Sequence, residues 1–331
     1  MKLSYFLPVL LFVGFLVSQA PLRAQTCSCA GAPLIGAQSL GAIEKGNLVL
    51  GITGHFNNID KLYNGTTELQ NRSADRSTFT SLLEANYGIT DRLSVTGTFS
   101  YVRKERISGL QRQASSQTIQ SAGIGDALLM LKYNILQQTL WKPYQLAAGA
   151  GVKMPLGSNS LTSNGIQLNA DMQPGTGSWD YIGWMFFSYT LRAQNITFFT
   201  VNSFTKTTPA ERFNQNDQFE FGNEINSIIG FTGPTFNNIS YHLKLKFRGA
   251  ASDLRNDVEL PSTGGKWLNI EPGIGYQLTD RLSTEISGEI PLFRNVNGTQ
   301  SSTTYTISAS IFFSLNESGS GFNPGMPEKA R

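Results

Sequence analysis

Three observations predict the fold class. Apolar and polar residues alternate with period two over most of the chain, connections are short and long by turns, and no apolar run beyond the N-terminus is long enough for a spanning helix. Together they predict an all-β chain closed as a transmembrane antiparallel up-and-down β-barrel. The expected count is about 12 strands, with about 14 as the alternative.

The composition agrees. Charged residues make up 15% of the 331 residues, against a usual ~25%. The mean hydropathy of -0.16 is too polar for a bundle of membrane helices. A net charge of +3, with no basic block, gives nucleic acid no foothold.

From the N-terminus, Lys2, the apolar run Phe6 to Val17 and small residues up to Ala24 read as a secretory signal over 1–24. Residues 25–46 form a periplasmic lead rich in small and apolar side chains, a candidate plug for the lumen. Cys27 and Cys29 fall within it. A local disulfide, a thiolate pair for a soft metal and an incidental pair all remain open for them. No other thiol follows, so no disulfide framework holds the chain.

The barrel is assigned to 47–315 and a polar tail to 316–331. Strands are expected near 47–57, 77–89, 93–104, 121–135, 144–155, 178–191, 196–207, 217–231, 239–250, 266–278, 282–293 and 302–315. In the third, Leu93, Val95, Gly97, Phe99 and Tyr101 alternate with Ser94, Thr96, Thr98 and Ser100. The polar face of most strands is Ser, Thr, Asn and Gly rather than the Lys and Glu of a soluble sandwich, so the apolar face is assigned to lipid. A bulge is expected near Pro272, which cannot donate a ladder bond, and a break of phase near Asn223.

Short connections at 90–92, 136–143, 192–195, 232–238 and 279–281 oppose longer ones at 58–76, 105–120, 156–177, 208–216, 251–265 and 294–301. That asymmetry is the one between periplasmic turns and extracellular loops. Two short turns repeat: Tyr87-Gly88-Ile89-Thr90-Asp91-Arg92-Leu93-Ser94 resembles Tyr276-Gln277-Leu278-Thr279-Asp280-Arg281-Leu282-Ser283. Tyr87, Tyr133, Tyr144, Tyr189, Phe231 and Tyr276 all stand beside short turns on the apolar face, as a membrane-interface girdle would.

The same parity sends Glu84, Asp126, Lys132, Lys153, Trp184, Glu220, Glu224, His242, Lys244, Lys246, Arg248, Glu271, Glu285 and Glu289 to the lumen, with His55 and Phe186. Strands eight to eleven thus carry acidic, basic, acidic and acidic rows. Such rows stiffen a wall by cross-strand pairing or select solutes by charge. Inward aromatics stack an aromatic solute or pack a plug. A membrane hydrolase of twelve strands would want a His-x-Ser pairing; His55 precedes Phe56-Asn57 and His242 precedes Leu243-Lys244, so no enzyme and no cofactor are expected.

Gly123-Ile124-Gly125-Asp126 with Lys132-Tyr133, Gly151-Val152-Lys153-Met154-Pro155-Leu156-Gly157, and Gln173-Pro174-Gly175-Thr176-Gly177-Ser178 cover the middle third of the chain. In these segments the chain resembles the bacterial outer-membrane transporter family of the phenol meta-pathway (MetA-pathway of phenol degradation). Leu156 follows Pro155 where that family commonly has Thr. The resemblance implies a barrel akin to fatty-acid and aromatic-hydrocarbon uptake channels. The expectation is a monomer in outer-membrane lipid, passing small hydrophobic or aromatic solutes passively. The other class kept open is a non-transporting surface barrel whose long loops bind a partner.

Overall fold

The computed structural model describes residues 42–43, 45–70, 74–109, 117–210, 213 and 217–315. The signal segment, Cys27 and Cys29, most of the lead and the polar tail lie outside the described residues.

Twelve antiparallel strands form the barrel. They are β1 Leu48–Ile59, β2 Ala74–Gly88, β3 Leu93–Ser108, β4 in two stretches Gln117–Ile124 and Ala127–Leu136, β5 Tyr144–Met154, β6 Asp180–Leu191, β7 Ile196–Lys206, β8 Glu224–Thr232, β9 Ile239–Ala250, β10 Gly265–Gln277, β11 Leu282–Ser302 and β12 Tyr305–Ser314. Each pairs with the next, and β1 pairs with β12 from Val49↔Ser314 to Asn58↔Tyr305, which closes the ring. Closure leaves no barrel edge for hydrocarbon to strip of hydrogen bonds. The alternative of fourteen strands is not realised.

Alternation decides which face meets which medium. Along β6 the sequence Tyr181, Gly183, Met185, Phe187, Tyr189 points out, while Ile182, Trp184, Phe186, Ser188 and Thr190 are buried inside. Leu50, Ile52, Leu83, Phe99, Leu129, Leu131, Phe198, Ile229, Leu245, Ile274, Ile286, Ile307 and Ile311 continue the exposed apolar belt around the ring. Strands of ten or so residues tilted by ~40° give a belt about 25 Å tall. Each large apolar side chain in it gains roughly 2 kcal/mol on leaving water.

The short turns are built alike. Leu93 N–H bonds the Thr90 hydroxyl at 2.9 Å, and Leu282 N–H bonds that of Thr279 at 3.1 Å, while Thr90 and Thr279 N–H donate to the Leu93 and Leu282 carbonyls. The repeated octapeptide is thus one turn used twice. A third copy without sequence likeness joins β4 to β5, where Lys142 N–H bonds Thr139 Oγ1 at 3.1 Å. The β8–β9 turn instead places Asn237 and Asn238 at φ 47° and 64°, the left-handed pair of a tight hairpin.

Several boundaries differ from expectation. β8 starts at Glu224; residues Phe219–Glu220 instead join Leu254–Arg255 and Val258–Glu259 in a small loop sheet. β11 runs nine residues past its expected end because Val296–Ser302 pairs with a hairpin strand, Lys61–Gly65, from the β1–β2 loop. The expected bulge sits between Leu268 and Asn269, opposite Pro291, rather than at Pro272. The phase of β8 holds: Ser227 points outward, bonded to Asn202 of β7 at 2.8 Å, so the polar group on the outer face is satisfied by its neighbour.

Candidate functional site

The interior has two different walls. On β4 to β8 it is apolar: Leu128, Met130, Ala147, Ile182, Trp184, Phe186, Phe199, Val201 and Ile228 form one buried cluster. Its flatness comes from β5, whose inward positions between Ala147 and Lys153 are Gly149 and Gly151. A Cβ on Gly149 would meet the Leu131 carbonyl at 2.6 Å and the Trp184 ring at 3.2 Å. Lys132 and Trp184 are the cross-strand partners of Gly149 on either side, so the lysine crosses the bare glycine and sets its ammonium 4.8 Å from the Trp184 ring centroid. Trp184 and Phe186 stack at 6.1 Å and 8°. Glu84, also sealed from solvent, lies beyond β3 and accepts from Asn86 at 2.6 Å, which in turn accepts from Thr96.

The opposite wall is the charged ladder. Lys244 and Lys246 of β9 donate to the two carboxylate oxygens of Glu271 on β10, each at 2.9 Å, and Lys246 reaches Glu289 of β11 at 2.5 Å. Lys244 lies 3.8 Å and His242 Nε2 3.7 Å from Glu285. Arg248 pairs with Glu224 at 2.7 Å and lies over the Trp267 ring at 4.8 Å. His242 fits because Gly273 stands opposite, where a Cβ would lie 2.2 Å from the imidazole.

Glu220 is a correction. It lies in the loop sheet above the barrel, 3.6 Å from Lys206, because its strand leaves the wall before β8 begins.

The third feature is a loop that folds inward. β5 stops at Met154, the chain turns in at Pro155, and 155–177 enters the lumen, with a turn of 3-10 helix at Ala170–Met172. The upper stretch of β4 therefore pairs only with β3. Gly125, Gly157 and Gly175 meet backbone to backbone: a Cβ on Gly157 would lie 2.6 Å from the Gly175 Cα and 2.9 Å from the Gly125 carbonyl carbon. Asp126 accepts from Gly157 N at 3.2 Å, Thr176 N at 2.9 Å and Thr176 Oγ1 at 2.6 Å. Lys153 stands between Asp126, at 3.5 Å, and Asp180, its cross-strand neighbour, and donates to Thr176 Oγ1 at 2.7 Å. Gln173 is buried, its amide bonded to the loop's own backbone at Leu161 and Leu168.

The far end of the loop is held by β2, β3 and β4. Arg76 Nη1 pairs with Asp171 Oδ2 at 2.7 Å, and Lys104 Nζ donates to the carbonyls of Asp171 and Gln173 at 2.9 and 2.8 Å. Ser121 donates to the Met172 carbonyl at 2.5 Å. Arg76 and Lys104 were missed because the sequence places 58–76 and 105–120 in loops and treats Lys104 as a strand end; extending the parity of Glu84 back by eight residues finds Arg76. Asp171 has no such signal, since it belongs to no strand.

Two further placements complete the site. His55 Nδ1 lies 2.7 Å from Ser308 Oγ across β1 and β12, a pairing invisible in sequence. Its Nε2 is buried without a hydrogen-bond partner among the described residues. Of the six girdle candidates, Tyr87, Tyr133, Tyr189 and Tyr276 are exposed on the outer face. Tyr144 is the cross-strand partner of Tyr189, and Phe231 packs against Phe198 and Tyr241 at 6.1 and 6.4 Å.

A closed antiparallel ring with an apolar outer belt, a laddered interior and a loop drawn into the lumen defines the class of outer-membrane-type β-barrels. The chain is similar to an outer membrane channel from Pseudomonas putida F1, at a TM-score of 0.66 and 12% identity over 83% of this chain and 97% of that one. It is less similar to the NanC porin, at 0.43 and 10% over 80% and 98%, and to the P. putida toluene transporter TodX, at 0.43 and 8% over 83% and 91%. At these identities the likeness is one of fold. No protein-family profile and no curated protein matches the sequence.

Proposed function

We propose that the barrel spans the bacterial outer membrane as a monomer and passes small hydrophobic or aromatic solutes passively. The observation that carries this reading is the apolar inner wall of β4 to β8, with Trp184, Phe186 and Phe199 turned inward in a ring whose outer face is also apolar. An apolar solute that reaches this wall sheds its hydration there, which favours its leaving water. The segments that carry the resemblance to the phenol meta-pathway family are the ones that build the Gly125–Gly157–Gly175 clasp, which supports a common loop architecture.

Uptake of radiolabelled toluene and phenol by cells with and without the gene tests the proposal, with bilayer conductance of the purified chain alongside. Faster uptake with the gene, together with discrete conductance steps, is the expected result. Equal uptake and a silent bilayer favour the surface barrel whose loops bind a partner.

A further inference from the structure

The loop anchor has the chemistry of an anion site already filled from within. Arg76 of β2 and Arg106 of β3 are directly opposite cross-strand partners on the inward face. Like charges in that relation repel, and in a low-dielectric wall the repulsion is larger than on a surface. They stand together with Asp171 between them: Oδ2 is 2.7 Å from Arg76 Nη1 and 3.8 Å from Arg106 Nη1. Lys104, a third cation, holds the backbone of the same loop residue.

The fit is incomplete. Arg106 Nη1 and Asp171 Oδ1 are both buried and make no hydrogen bond. Two guanidinium groups can engage both oxygens of a carboxylate, and a tethered aspartate that offers one oxygen leaves part of that capacity unused. Beside the cations lies a crevice of about 20 Å³ in which Ile59 and Met172 are the apolar side chains among polar ones, so an apolar group finds room there as Asp171 moves out. Glu105, which also borders it, is engaged by the Gln120 amide at 2.5 Å.

We infer that Arg76 and Arg106 form a binding site for the carboxylate of an amphipathic organic acid, and that Asp171 occupies this site as an internal stand-in when no solute is bound. The inference deepens the channel reading, on which it rests, by naming the charged group of the solute. It also gives the loop a trigger. A solute carboxylate that takes both guanidinium groups displaces Asp171, and the loop then relies on the Lys104 and Ser121 contacts at that end. Solute and closed loop compete for one site, so binding shifts the loop outward by the difference in their affinities and by no more.

The test uses the full chain in phosphatidylcholine nanodiscs at low salt, with benzoate as probe, followed by titration calorimetry. Benzyl alcohol serves as the neutral comparator and inorganic phosphate as the bare anion. Asp171→Asn removes the competitor and is expected to tighten benzoate binding by about tenfold; Arg106→Gln is expected to weaken it by about tenfold, and Arg106→Lys, which returns the charge without the fork, to restore part of the loss. Benzyl alcohol should respond to neither change.

Unchanged benzoate affinity in both variants overturns the inference. So does an Arg106→Lys protein as weak as Arg106→Gln, which would assign the effect to packing. Phosphate that displaces benzoate at equal concentration overturns the assignment to an organic acid. Conductance separates the two levels: benzoate binding in a silent barrel removes the channel and leaves the site, whereas conductance without benzoate binding removes the site alone.

Discussion

Glu271 shows how single residues set the character of the lumen. Its two oxygens are taken by Lys244 and Lys246, and Glu285 and Glu289 stand behind them, so the basic row of β9 is neutralised by its neighbours. A row of free lysines would favour anions; this one has its charge returned by the next strands. Replacing both Lys244 and Lys246 with Gln therefore leaves a wall of carboxylates. The expected outcome is a cation-to-anion permeability ratio raised about two- to threefold, read from the reversal potential across a salt gradient in a planar bilayer. The same change leaves Glu271 without its partners in a largely buried position and costs about 3 kcal/mol, measured as a lower unfolding temperature on heated gels. Adding Glu271→Gln should restore much of that stability. An unaltered reversal potential in the double variant would show that the ladder does not face the permeation path.

At the scale of elements, strands were legible and loops were not, for a physical reason. A strand in a lipid-facing barrel must obey period two over its length, so Leu93 to Tyr101 or Ile239 to Phe247 announces both element and face. The loops obey no period. Glu220 was misassigned because Phe219 and Phe221 alternate with it as a wall strand would, although those rings pack on each other at 4.9 Å in a cluster with Phe213 and Ala170. The glycines of the clasp stood in the sequence as a motif, yet only the crossing of the backbones explains why Gly157 and Gly175 have no room for a Cβ, while at Gly125 a Cβ would meet the Ser100 hydroxyl of β3. The loop sheet has a pH dependence of its own. Asp253 accepts from Gly222 N at 2.9 Å, and its own N–H bonds Thr263 Oγ1 at 2.8 Å; burial pushes its carboxyl up to about 6. The folded value lies above the ordinary one, so the buried acid favours the closed sheet fully below pH ~4, and this contribution is lost as pH rises through about 6. Amide exchange at 219–222 and 254–260, corrected for intrinsic rates, should slow markedly from pH 7 to pH 4.5. The Asp253→Asn protein should lose that dependence while keeping the sheet.

At the scale of the whole molecule the described residues show two segments held from opposite ends of the barrel, and the two holds differ in kind. At the long-loop end 155–177 is tied by ion pairs and a backbone crossing. At the short-turn end Ala42 is buried in the apolar cluster, its carbonyl accepting from Asn134 Nδ2 and Gln145 Nε2, each at 3.3 Å. Asn134 and Gln145 also bond each other at 2.7 Å, so the pair is pre-set to receive one carbonyl at the foot of β4 and β5. Two neutral hydrogen bonds to a backbone oxygen contribute about 2 kcal/mol, small beside the loop anchor. The hold on Ala42 is therefore the one that thermal motion releases first. Deleting 27–40 should raise single-channel conductance if the lead acts as a plug, and Asn134→Ala with Gln145→Ala should raise it too, by loosening the lead while leaving its length intact. The two variants separate blocking from tethering. If the deletion opens the channel and the double substitution does not, the lead blocks by its bulk alone. If neither changes conductance, the lead lies clear of the path, and the inward loop sets the resistance of the barrel.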